Sequence, residues 1–187
     1  MKKYRYFAIG FLLLFAIVAS FWLPRRNLRE TAQVAGIALD WEQEGLMATF
    51  ELYQADAKET IGAKKSVVIG YGETLEMCIE DALRRQGKHL FVNDASVLIL
   101  GQEKKERMLE AVLNYYSDFS HDDMDLPVFF AKGKAADFLN GEGAVRSMEI
   151  AASAKALNWR QTVKDLMNQK GEKIWLLLKE DGYELEK

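Results

Sequence analysis

Uncharged, mostly apolar residues run unbroken from Phe7 to Leu23, and beyond them the apolar positions recur at intervals of two or of three to four residues. At a rise of about 1.5 Å per residue, the first run spans roughly 26 Å as a helix, enough to cross the hydrocarbon layer of a bilayer with little to spare. Lys2, Lys3 and Arg5 precede it and Pro24, Arg25, Arg26 and Arg29 follow. The leading charges favour a cytoplasmic amino terminus, while the trailing arginines blunt that preference. The expected layout is a cytoplasmic segment over 1–6, a transmembrane anchor or uncleaved signal over 7–23, a tether over 24–33 and one extracytoplasmic domain over 34–187. A cleaved secretory signal is the competing reading, because Ile17-Val18-Ala19 offers a small residue at a cleavage position. No Cys lies near the end of the run, so lipid attachment to a processed N-terminal Cys is excluded. Gly10, Ala16, Ala19 and Ser20 would let a partner helix approach closely.

Past the tether, VAGIALD at Val34 to Asp40 and LMATFELYQ at Leu46 to Gln54 read as two antiparallel strands with Glu44-Gly45 as the turn. In the second, Leu46, Ala48, Phe50 and Leu52 alternate with Met47, Thr49, Glu51 and Tyr53, giving one apolar and one mixed face. A polar stretch over Ala55 to Ala63 leads to a third strand at Ser66 to Gly70. Thr74 is placed to cap a helix whose stripe is Leu75, Cys78, Ile79, Ala82 and Leu83, ending near Gly87. ASVLIL at Ala95 to Leu100 has the composition of a strand buried on both faces.

A second amphipathic helix follows over Glu103 to Tyr116, with Met108, Leu109, Val112, Leu113 and Tyr116 on its apolar side. The polar His121-Asp122-Asp123-Met124-Asp125 connects to a strand at Val128 to Ala131. Short helices are expected over Lys134 to Leu139 and over Val145 to Leu157. A further helix carries Trp159, Val163, Leu166 and Met167, with Asn158 as its cap, Gln161 as reciprocal partner and Gly171 as stop. Ile174 to Leu178, a turn at Asp181-Gly182 and Tyr183 to Leu185 close the chain as a hairpin. The whole predicts a mixed α/β (α+β) domain, a central mixed sheet flanked by amphipathic helices and preceded by one N-terminal transmembrane helix.

Composition narrows the function. Residues 24–187 hold 22 basic and 28 acidic groups, a balance that excludes nucleic acid as a partner and argues against the domain lying on anionic lipid. The single cysteine, Cys78, cannot form an internal disulfide and reads as a small buried hydrophobe. His121, Asp122, Asp123 and Asp125 form the only cluster resembling a metal site, but they lack the alternating ligands, turn glycine and distal Glu of a calcium loop. His89 reads as a residue at a helix end beside Lys88. No GxGxxG or GxxxxGK[ST] pattern supports phosphate binding, and Ser66, Ser96, Ser117 and Ser147 have no nucleophile context. No catalytic, cofactor-binding or metal-ligating residue is assigned, and the protein is expected not to be an enzyme.

One ordered set of short motifs adds to this. Gly72-Glu73-Thr74-Leu75, Gly87-Lys88-His89-Leu90-Phe91, Val97-Leu98-Ile99-Leu100-Gly101 and Val128 through Ala135 with Leu139 follow each other as helix opening, turn, strand and loop. With Arg29-Glu30 and VAGIALD ahead of them, this order resembles the amino-terminal domain of the Ger(x)C family, the C subunits of spore nutrient-germinant receptors. The likeness spans roughly residues 28–140. Three features depart from that family. Ala19-Ser20-Phe21-Trp22 stands where a lipidated Cys is usual, and Tyr115-Tyr116-Ser117-Asp118 replaces an Arg-rich piece. The family's second large domain has no counterpart before Lys187, so functions residing there are expected to be missing.

The resemblance implies a non-enzymatic subunit on the outer face of the inner spore membrane, assembling with integral-membrane A- and B-type receptor subunits. It implies no cofactor and names no small-molecule ligand. The alternative is a stand-alone extracytoplasmic ligand-binding or sensory domain.

Overall fold

The alternating pattern of LMATFELYQ becomes the middle strand of an antiparallel ladder. β1 (Thr31–Glu42) pairs with β2 (Gly45–Gln54), and β2 with β3 (Lys64–Gly72). The computed structural model describes residues 15, 31–42, 45–54, 64–117, 125–140, 146–156, 161–168, 175–179 and 182–186. The expected membrane helix over Phe7 to Leu23 falls, except for Phe15, outside the described residues. Among the described residues no helix is long and apolar enough to cross a membrane.

After β3 come α1 (Leu75–Gln86), β4 (His89–Phe91), β5 (Leu98–Leu100), α2 (Lys105–Tyr116) and β6 (Val128–Ala131). α3 (Ala136–Leu139), α4 (Arg146–Ala156), α5 (Val163–Met167), β7 (Trp175–Lys179) and β8 (Gly182–Glu186) complete the chain. The strands form one mixed sheet in the order β3-β2-β1-β5-β6-β7-β8, with β4 alongside the first residues of β1. β1, β5, β6 and β7 run parallel, and β8 returns antiparallel to β7. The expected mixed sheet with flanking helices is therefore present.

Both faces of the sheet are covered. Ile37, Leu39, Phe50, Leu98 and Phe130 pack under α1, α2 and α5 through Leu75, Cys78, Met108, Val112, Tyr116 and Val163. On the opposite face Ala38, Ile99, Phe129 and Leu178 pack against Ala135, Leu139 and Ile150 of the α3 and α4 region. The second layer also decides the surroundings of β2. Its mixed face is covered too, with Met47, Thr49 and Glu51 buried.

The helix termini follow from local chemistry. Thr74 Oγ1 accepts the Met77 amide at 3.2 Å and so caps α1, as expected. Gly87 ends α1 in the left-handed region at φ 68°. For α5 the expectation fails: Thr162 is the cap and Asp165 its reciprocal partner, with Asp165 Oδ2 accepting the Thr162 amide at 3.0 Å. Thr162 also bridges to Pro127, so the tertiary contact of that segment fixes where the helix starts. Asn158, Trp159 and Gly171 lie outside the described residues. β4 was unforeseen, because three residues make a strand only through their parallel pairing with Thr31 to Gln33. His89 consequently stands exposed in a strand and not at a helix end.

Asp81 ties α1 to β3. Its carboxylate accepts the Tyr71 amide at 3.0 Å and Arg85 Nε at 2.8 Å, and those two bonds hold its pKa below the ordinary 3.8. A carboxylate with a depressed folded pKa stabilises above its unfolded value and loses that contribution as pH falls through the folded value. Asp81→Asn should therefore lower the melting temperature at pH 7, and the gap to the wild type should close by about pH 2. A gap that stays constant across that range, in melts followed by circular dichroism, would show that the charge is not what holds the contact.

Candidate functional site

The carboxyl ends of the parallel strands β1, β5 and β6 meet at one edge of the sheet, where crevices in open α/β sheets commonly lie. Asp40 comes from the end of β1, Gly101 follows β5, and the segment Lys132 to Ala135 follows β6. Asp40 is only 4 % exposed. Its Oδ1 accepts the Ala135 amide at 2.7 Å and its Oδ2 the Ala136 amide at 2.8 Å. The carboxylate thus meets the free amides at the start of α3, a place where negative charge is favoured.

Gly101 completes this clamp. Its amide donates to the Leu39 carbonyl at 2.8 Å, and the Gln102 amide reaches the Gly133 carbonyl at 3.4 Å. A Cβ at Gly101 would run into Asp40 Oδ1 and lie 3.4 Å from the Leu39 oxygen, so only glycine lets the carboxylate sit where it does. Lys134 pairs with Glu42 across the mouth. Burial pushes the Asp40 carboxyl above its ordinary value, while the Ala135 and Ala136 amides and Lys134 pull it back. Around the clamp lies a crevice of about 510 Å³ lined by Trp41, Glu42, Gln102, Glu103 and Lys134.

A second buried carboxylate repeats the device. Glu51 of β2, wholly buried, accepts the Arg146 and Ser147 amides at 2.8 Å each and seats the start of α4. Sequence reasoning passed over both acids. The signal was a carboxylate placed within an otherwise apolar strand, in VAGIALD and in LMATFELYQ, where charge is tolerated only with dedicated donors.

The other singled-out residues do not converge. Asp125 is exposed and lies 3.9 Å from Lys164 Nζ, while His121, Asp122 and Asp123 fall outside the described residues. Among the described residues no three His, Cys, Asp or Glu side chains are grouped as metal ligands. Cys78 is fully buried, donates to the Leu46 carbonyl at 3.3 Å and has its pKa pushed up to about 12 by burial, which leaves an inert thiol. Ser117 Oγ bonds the Asn114 carbonyl at 2.7 Å and Ser147 is buried at the start of α4.

What the arrangement can do is hold loops. The motif segments noted in the sequence, VAGIALD, ILG and VFFAKGKA, arrive at one place, and their polar groups are engaged with one another. A second concavity of about 660 Å³ opens between α1 and α2, beyond the Trp41 side of the clamp.

The family model described as Spore germination protein N-terminal domain matches residues 24–170 of the chain. Neither the curated proteins nor the solved structures include a match.

Proposed function

The chain belongs to the spore germination protein N-terminal domain family, whose model spans most of its length, and from that premise we propose a non-enzymatic, membrane-anchored subunit of a germinant-receptor-like complex. The membership itself assigns a role in spore germination. The reading adds that the N-terminal apolar segment anchors the chain in the inner spore membrane. It further places the Thr31–Lys187 unit on the extracytoplasmic side, against integral-membrane A- and B-type subunits.

One observation supports the scaffold role above all. Where the family-like motifs converge, the buried acid Asp40 accepts two backbone amides, so its carboxylate is committed to holding the loop that leads into α3. A catalytic centre would instead bring a nucleophile or base into a cleft with a free valence for substrate. Motifs shared for the sake of loop geometry suit a protein whose product is a docking surface.

The test is recovery of a tagged full-length chain from sporulating cells. It should sediment with membranes and, after solubilisation in a neutral detergent, bring down polytopic A- and B-like subunits in near-stoichiometric amounts. Recovery of the chain alone from the membrane fraction would favour the stand-alone sensory reading. Recovery from the soluble fraction would overturn the anchor.

A further inference from the structure

The groove between α1 and α2 differs from the Asp40 crevice in charge and in lining. Trp41, Ile79, Ala111 and Tyr115 line it together with Glu73, Glu76, Glu80 and Glu110. Glu76 and Glu80 stand one turn apart on α1, and Glu110 faces them from α2. Among the described residues none of the four is held in an ion pair. Arg107, the one cation among the lining residues, is turned onto the Trp41 ring at 5.6 Å, where Lys104 also lies at 5.0 Å. Beside Glu76, the half-buried Tyr115 hydroxyl is pushed above its ordinary pKa, first by burial and then by that carboxylate.

We propose that this groove docks a basic segment of the partner subunit, its lysine or arginine stems lying along Ile79, Ala111 and Tyr115 and their heads meeting the Glu73, Glu76, Glu80 and Glu110 carboxylates. The inference rests on the complex membership proposed above and names the surface that serves it. Charge complementarity selects the occupant. Four carboxylates against one lining cation, Arg107, leave the groove acidic, which repels anionic lipid and nucleic acid and attracts cations from a distance. Carboxylates set a helical turn apart and on both walls suit several cations along one backbone better than they suit one small amine. Long basic side chains cover apolar surface with their stems while keeping their charge in water, which matches a groove whose lining mixes Ile79, Ala111 and Tyr115 with four carboxylates.

Binding is measured with the full chain in neutral detergent and fluorescein-labelled octalysine as probe, followed by anisotropy. Glu76→Gln/Glu80→Gln/Glu110→Gln should weaken binding about tenfold, as expected for three exposed pairs lost together, and high salt should abolish it. Glu106→Gln/Asp125→Asn, outside the groove, should change affinity less than about twofold. Melting curves establish that both variants fold. Absence of octalysine binding to the wild type, or equal binding by the groove variant, overturns the proposal. The two readings separate in the pull-down. A wild-type chain that recovers no A- or B-like subunit sinks complex membership, and the groove with it. A groove variant that recovers those subunits as well as the wild type sinks the groove alone.

Discussion

Asp40→Ala is expected to destabilise the domain by about 3 kcal/mol, because two buried amides at the start of α3 lose a charged acceptor and nothing nearby replaces it. For a chain of this size that corresponds to a fall in melting temperature of roughly 6–12 °C. Relief of the desolvation cost, visible in the raised pKa, offsets part of the loss but does not exceed it, since each orphaned amide retains its own penalty. Asp40→Asn keeps one acceptor and should cost about half as much.

The pH dependence has a definite sign. A carboxyl whose folded pKa lies above its unfolded value of 3.8 contributes most below that value, and the contribution declines as pH rises through the folded pKa. The gap between wild type and Asp40→Asn should therefore narrow from about pH 4 to pH 7, the reverse of the trend for Asp81→Asn. A gap that widens over this range in urea titrations would mean that the ionised carboxylate is better solvated by its donors than burial allows.

Much of this fold was legible because local pattern and tertiary role agree. β6 occupies the predicted Val128–Ala131, α1 begins after its predicted cap, and β7 and β8 pair as the predicted hairpin, although Gly182, expected in the turn, is already in β8 and pairs with Lys179. The failures are places where partners distant in sequence decide. α5 starts at Thr162 because the Leu126 carbonyl and the Pro127 bridge fix it there. β4 exists only against β1, some sixty residues away. What covers the mixed face of β2 was not predicted: Glu51 there accepts the first amides of α4, almost a hundred residues on, and periodicity cannot report what will cover a face.

The clamp lay in between. Its segments were visible as ordered motifs, but their meeting at Asp40 depends on the strand order β1-β5-β6, which no single segment encodes. The acidic groove was less legible still. Nothing in the segment holding Glu73, Glu76 and Glu80 signals that the sheet sets α2, with Glu110 and Tyr115, across from them.

The second large effect concerns that same helix. Gly70→Ala should destabilise the domain by about 3 kcal/mol, at the upper end of overpacking changes, because the three atoms nearest the added carbon are all main chain of α1. It would stand 2.9 Å from the Cys78 carbonyl carbon, closer still to its oxygen, and 3.0 Å from the Ala82 amide nitrogen. Main-chain atoms inside a capped helix cannot rotate away as a side chain can, so α1 must lift from β3 as a body. Removing the neighbouring thiol gives no relief. Gly70→Ala/Cys78→Ala should melt no higher than Gly70→Ala, since the clash is with the Cys78 carbonyl. A rescue by the double variant would show that the side chain, not the backbone, sets the spacing. Displacement of α1 also moves Glu76 and Glu80 away from Glu110. At a temperature where Gly70→Ala remains folded it should bind octalysine more weakly than the wild type, although it changes no charge. The spacing of α1 on β3, set by the absence of one side chain, thereby couples the packing of the sheet to the geometry of the acidic groove.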